Sequence, residues 1–251
     1  SADDRFLRKN YAYGFKPTGY INCGTESLNI TGEMTVAIWA YFNENPVDPN
    51  EHHRIISKHG ATPETWGWTL MKTPGTELEW SIANKTPSEP EWVSHTTDQG
   101  TCPTSQWLHI VAMVERNTTT KLLEKKVYVD GQQAMMPVAL PGDFSMFDSV
   151  SPLLIGADGY SSSEYDRYRR MDGRLDDIGI WNRALSESEI QALSNIRPSA
   201  TETMSYGDPY ITPVYGPKYK LPDRYGLYRY ISSRAPYEER FTLDVDVLGL
   251  T

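Results

Sequence analysis

Thr35-Val-Ala-Ile-Trp-Ala-Tyr-Phe42 is the stretch on which the fold turns. Its residues are mostly β-branched or aromatic, which suits a pleated strand. Side chains alternate sides along a strand. Met34, Val36, Ile38, Ala40 and Phe42 therefore share one face, and Trp39 and Tyr41 share the other. Both faces are apolar. A strand covered on both sides belongs inside a sandwich or at the floor of a groove.

Working outward, similar runs at 54–58, 66–72, 77–83, 107–115, 125–130, 153–156 and 175–181 are predicted strands, punctuated by Gly, Pro and Asn clusters. Asp130-Gly131, between Val-Tyr-Val and Gln-Gln-Ala, signals a hairpin. One helix is marked. Ser186 caps it, Glu189 completes a capping box, and Leu185 with Ile190 forms a hydrophobic staple. It runs about two turns to Ser194, and Pro198 bars its continuation.

Composition then shifts. All 7 Trp lie at or before Trp181, whereas 8 of the 16 Tyr follow Arg197. We place a boundary there, dividing residues 1–197 from a Tyr/Pro-rich tail, 198–251, that alternates like short strands at 225–231 and 241–248. The tail either packs on the sandwich or opens a further domain.

Net charge is −9 and the sequence pI about 5.1. Such a balance argues against nucleic acid and anionic membranes, which both need a basic face. No run is long and apolar enough to span a bilayer. The opening Ser-Ala-Asp-Asp suggests a processed protein or a fragment. Cys23 and Cys102 are a candidate disulfide, and equally fit free buried thiols. Sequons at Asn29, Asn84 and Asn117 fall at turns or strand ends, where a glycan can be accommodated.

Six blocks in order resemble successive strands of laminin G-like, concanavalin A-like jelly rolls: Met34-Thr-Val-Ala-Ile-Trp-Ala, Arg54-Ile-Ile-Ser-Lys-His-Gly, Trp107-Leu-His-Ile-Val-Ala, Lys126-Val-Tyr-Val-Asp-Gly, Leu153-Leu-Ile-Gly and Gly173-Arg-Leu-Asp-Asp-Ile-Gly-Ile-Trp-Asn-Arg-Ala-Leu-Ser. The resemblance covers roughly residues 10–196. It implies a two-sheet antiparallel sandwich that binds glycans or proteins, or acts as a spacer. Gly207-Asp-Pro-Tyr-Ile-Thr-Pro-Val-Tyr-Gly-Pro-Lys-Tyr-Lys-Leu resembles the opening of von Willebrand factor type D-like segments, with Tyr210 where that family has His, and stretches of large algal DNA virus structural proteins.

Three groups could carry function. Asp176 has the parity of Ile178 and Ile180, so strict alternation turns it inward, where a carboxylate needs hydrogen bonds or a cation. The family resemblance implies calcium there, with carbonyl ligands from around 10–13 or Gly32. The alternative is a β-bulge, because Leu175 is also apolar. In the polar loop 157–172, Tyr160, Tyr165 and Tyr168 could stack on a sugar while Asp158, Asp166 and Arg167 bond its hydroxyls, or the loop is a solvated excursion. Trp66 and Trp68, with Trp80 and Trp92, could line a groove, although some belong in the core. Catalysis finds little support. Glu77 and Glu79 lie on one strand face, about 6.5–7 Å apart, against the roughly 5–5.5 Å a retaining glycosidase needs.

The expectation is thus an all-β, two-sheet antiparallel jelly-roll sandwich with one short C-terminal helix and a small β-rich tail. It would serve as a calcium-stabilised, non-catalytic recognition or adhesion module on an extracellular or virion-surface protein. Its partners would be a glycan or surface glycoprotein and neighbouring domains of a larger protein, with neither nucleic acid nor membrane insertion. A structural spacer is the main alternative, and a glycoside hydrolase the third.

Overall fold

The computed structural model describes residues 2–7, 11–16, 19–25, 28, 30–47, 51–85, 91–159 and 170–196, with the backbone of 228–231 and 244–246. The strands are β1 (Tyr13–Phe15), β2 (Ile21–Asn22), β3 (Met34–Phe42), β4 (His53–Lys58), β5 (Trp68–Lys72), β6 (Leu78–Asn84), β7 (Glu91–Thr96), β8 (Trp107–Arg116), β9 (Leu123–Val129), β10 (Gln132–Ala139), β11 (Leu153–Ile155), β12 (Gly173–Trp181), β13 (Tyr228–Ile231) and β14 (Asp244–Asp246). A helix, α1, spans Glu187–Ser194.

Among the described residues the strands form two antiparallel sheets. The eight-stranded sheet runs β10-β9-β8-β3-β12-β13-β14, with β1 also on β12. The six-stranded sheet runs β2-β11-β4-β5-β6-β7. The jelly-roll sandwich is therefore the fold. As its composition requires, β3 is central, held between β8 and β12. The β9–β10 turn puts Asp130 and Gly131 at φ 51° and 77°, which is the twist a two-residue hairpin needs.

Val36, Ile38 and Phe42 of β3 and Ile110 of β8 meet Ile56, Trp68, Leu70, Trp80 and Ile82 of the other sheet in one buried layer. Trp68 and Trp80 lie ring to ring, their centroids 5.7 Å apart. Three lysines also reach into this layer. Lys58 Nζ donates to Ser151 O at 2.9 Å, Lys72 Nζ to Cys102 O, and Lys125 Nζ to Trp80 O at 2.7 Å and Val93 O at 2.5 Å. A buried amino group is costly unless its protons are taken up, and backbone carbonyls take them up here. Burial lowers all three lysine pKa values, that of Lys125 to about 7.

The outer face of the eight-stranded sheet is covered in two places. At one end α1 buries Ile190 and Leu185 against Ala37, Val111, Met113 and Tyr128. The Ser186–Glu189 capping box forms, and Arg183 grips Glu189 with bonds of 2.9 and 2.7 Å. At the other end residues 2–7 lie against Trp39, with the Arg5 guanidinium 4.6 Å from its ring centroid.

The structure decides between the two readings of the cysteines and places two of the three sequons. Cys23 and Cys102 are not joined in a disulfide. Cys23 N bonds to Leu153 O on β11, and Cys102 N to Thr76 O in the β5–β6 turn. With β4 between those strands the backbones stand at least two strand spacings apart, about 10 Å, beyond the roughly 7 Å limit for a bridge. Asn84 is buried, and its Oδ1 accepts from Ser145 N at 3.1 Å, which leaves no room for a glycan. Asn117 Nδ2 donates to Glu124 at 2.7 Å within an Asx turn. Asn29 lies outside the described residues, as does the Gly207 stretch.

Candidate functional site

Alternation on β4–β7 sends one set of side chains to the outer face of the six-stranded sheet, and strand register lines them up across it. Ser57 pairs with Thr69, Thr69 with Ser81, and Ser81 with Ser94, giving a row of four hydroxyls. On one flank Arg54, Met71, Glu79 and Thr96 form a parallel row. On the other flank lie His59, Trp66, Ala83 and Trp92.

The flanking aromatic group is compact. Trp66 and Trp92 centroids are 5.4 Å apart, and the His59 ring meets Trp92 edge-on at 4.6 Å. Local sequence makes this packing feasible. A Cβ on Gly67 would fall 2.1 Å from Lys58 O, so only glycine lets the chain pass there. Ala83, paired with Trp92, keeps the adjacent position small.

The hydroxyl row runs from a closed end to an open one. Ser57 and Thr69 are buried, and Ser57 donates to Ala157 O at 2.9 Å. Ser94 is exposed, while Trp66, Trp92 and Glu79 are half-buried. The Ser81 hydroxyl lies 2.5 Å from Glu79 Oε1 and 2.7 Å from Ser94 Oγ. Among the described residues, Thr69 Oγ1 and Trp66 Nε1 are buried and find no hydrogen-bond partner. Native interiors rarely leave such groups unmatched.

Of the residues singled out from sequence, Trp66 lies on one flank of this face and Asp158 is bound to Arg54 of the other. Asp158 is buried and accepts from Arg54 Nε at 2.6 Å, and Gly159 N binds His59 O at 3.0 Å. Its carboxylate therefore anchors the 157–159 turn and does not stand free for a sugar hydroxyl. Trp68 does not share a face with Trp66. It starts β5 and points into the core, 1% exposed. Tyr160, Tyr165, Asp166, Arg167 and Tyr168 lie outside the described residues. Sequence reasoning missed His59 and the hydroxyl row, for which the sequence holds no local signal, since Ser57 and Ser94 are followed by Lys58 and His95.

Asp176 follows the β-bulge alternative rather than strict alternation. It pairs with Trp39, on the outer face, and between the Asp176–Trp39 and Gly179–Ala37 pairs two residues, Asp177 and Ile178, oppose Ile38 alone. Asp177 is the inserted residue, at φ 44°. This bulge resets the alternation, so Ile178 still reaches the core. Asp176 remains buried, because Arg5 Nη1 sits 3.1 Å from its Oδ2 and 2.6 Å from Asp177 Oδ2. Burial and the adjacent Asp177 carboxylate push its pKa up, against the pull of Arg5. Calcium does not fit at this position. The guanidinium takes the space beside both carboxylates, and among the described residues no three acidic, His or Cys side chains converge on one point.

A two-sheet jelly roll with aromatic rings, hydroxyls and a carboxylate on one sheet face defines a class of β-sandwich modules that includes lectins. Residues 15–191 match the family model Laminin_G_3, described as the concanavalin A-like lectin/glucanases superfamily, and the chain belongs to that family. Among solved structures it is similar to the binding domain of Paraclostridial Mosquitocidal Protein 1, at TM-score 0.58 and 19% identity over 77% of this chain and 44% of that one. It is also similar to the Ruminococcus gnavus IT-sialidase CBM40 bound to α2,3-sialyllactose, at TM-score 0.53 and 11% identity over 74% and 97% of the two chains. A mutant of NanB sialidase from Streptococcus pneumoniae matches at TM-score 0.50 and 16% identity, over 72% of this chain and 27% of that one. At these identities the likeness is one of fold. The chain thus spans less than half of the mosquitocidal binding domain and nearly all of the CBM40. A search of curated proteins found no match.

Proposed function

We propose that this chain is a glycan-binding recognition module of a protein exposed outside the cell or on a virion surface. The observation that carries the reading is the half-buried Trp66–Trp92 pair at the open end of the Ser57–Thr69–Ser81–Ser94 row. Tryptophan faces stack on the apolar side of a pyranose, and the Ser94 hydroxyl and Glu79 carboxylate are placed to bond its equatorial hydroxyls. The CBM40 with the same fold is named for a sialyllactose complex, which supports a saccharide as the ligand class. Recognition rather than hydrolysis is favoured because Glu77 is engaged by the Thr73 hydroxyl and Glu79 by Ser81, so neither is poised against a sugar as a free acid–base pair.

A glycan array followed by titration calorimetry tests the reading. Trp92→Ala is expected to weaken saccharide binding about 10-fold or more with an unchanged far-ultraviolet dichroism spectrum. Absence of any array signal would instead favour a spacer with protein contacts only. Equal affinity of the Trp92→Ala variant would move the site elsewhere.

A further inference from the structure

The Asp176–Asp177 bulge places two adjacent carboxylates under the N-terminal segment, and something must balance them. Asp176 Oδ1 accepts from Asp177 N at 3.0 Å, and its Oδ2 accepts from Arg5. One guanidinium nitrogen thereby bridges both acids across 171 residues of sequence. The guanidinium is held flat as well as paired. Its carbon lies 4.4 Å from the Phe6 ring centroid and 4.6 Å from that of Trp39, and the side chain is 4% exposed. Such a planar cation can be gripped by aromatic faces and a carboxylate pair together, which an ammonium does less well.

The segment that carries it is itself tied down. Ala2 and Ala12 exchange both backbone bonds, at 2.8 and 3.1 Å. Asp4 Oδ1 accepts from Phe6 N at 2.9 Å, and Asp4 O from Leu7 N at 3.0 Å. Arg174, from β12 itself, donates to Asp3 O at 3.4 Å.

We infer that Arg5 is the resident cation of this bulge, so that the module carries covalently the positive charge that the Asp176 and Asp177 pair requires and that a calcium ion would otherwise have to supply. A calcium ion wants six to eight oxygens at about 2.3–2.6 Å. Within reach of these carboxylates it would also meet a buried guanidinium at close range, and like charges in a poorly solvated site repel strongly. The N-terminal segment is accordingly a structural part of the sandwich, and its stability is independent of divalent cations.

Thermal unfolding of the full chain tests this. The Tm of the wild type is expected to be the same in EDTA and in about 1 mM calcium, a concentration that extracellular calcium modules bind. A fall in EDTA or a rise in calcium overturns the inference. Arg5→Met should lower Tm on the order of 10 °C. Asp177→Asn should lower Tm when Arg5 is present. In the Arg5→Met background the same change should raise Tm, because it then removes an unbalanced charge. Asparagine also tolerates the left-handed backbone at this position. An effect of the same sign in both backgrounds overturns the proposal. Should Arg5→Met alone not fold, the double variant is expected to fold, and its failure to do so counts equally against the idea.

Discussion

Replacing Lys125 by methionine should change how the stability of this protein depends on pH. Lys125 is wholly buried, and its Nζ donates to two carbonyls, Trp80 O and Val93 O. A neutral amine has two N–H groups, which match those two acceptors. Burial lowers its pKa from 10.5 to about 7, with Glu79 of β6 pulling the other way, and Lys125 in turn lowers His95 of β7. A fall of that size corresponds to about 5 kcal/mol between the protonation states. The sign follows from proton uptake. Between about pH 7 and 10.5 the unfolded chain holds a proton that the folded chain has lost, so stability rises with pH across that window. Below about pH 7 both states are charged and the contribution is flat at its least favourable value. Urea unfolding at pH 7, 8, 9 and 10 should therefore show the wild type gaining about 3–4 kcal/mol relative to Lys125→Met as pH rises. Contributions from Lys58, Lys72 and the carboxylates cancel in that difference. Parallel profiles for the two proteins would refute the argument, since they would mean that Lys125 keeps its proton inside the sandwich.

Two further outcomes separate core from face. Trp68→Ala should cost about 3–5 kcal/mol by opening a cavity against Trp80, read as a Tm drop of roughly 6–20 °C, whereas Trp66→Ala should lower Tm far less while weakening saccharide binding. Thiol titration of unreduced protein should find both cysteines reactive after denaturation, and Cys102 unreactive in the native state, where burial pushes its thiol up to about 12; dithiothreitol should leave Tm unchanged.

The strands were readable wherever burial on one or both faces left an apolar pattern. Residues 35–42 announced the centre of a sheet because every side chain there is apolar or β-branched, and β3 is indeed covered on both sides. Strand β7 was not read, since Glu91-Trp-Val-Ser-His-Thr96 is an edge with polar residues facing water. The two-residue β2 owes its existence to its partner β11 rather than to any local preference. The buried lysines were illegible in principle. Lysine normally marks a solvated position, and only the arrival of distant carbonyls, Cys102 O from the β7–β8 loop and Trp80 O from the opposite sheet, makes Lys72 and Lys125 tolerable inside.

The errors at the candidate sites have one geometric cause: alternation was extended through points where the backbone breaks it. At Trp66 the chain is not yet in the strand that starts at Trp68: Gly67 passes against Lys58 O and Trp66 lies on the outer face. At Asp176 one inserted residue shifted the parity of everything before it relative to Ile178. One break is made by a glycine because a Cβ would strike Lys58 O, the other by an aspartate at positive φ. Functional side chains gather at such breaks because a regular strand can offer a face only every second residue. Redirecting one side chain places an aromatic ring beside the hydroxyl row, or a second carboxylate beside the first. The hydroxyl row itself depends on register between four strands, which no local pattern encodes. It became visible only when Ser57, Thr69, Ser81 and Ser94 were brought abreast.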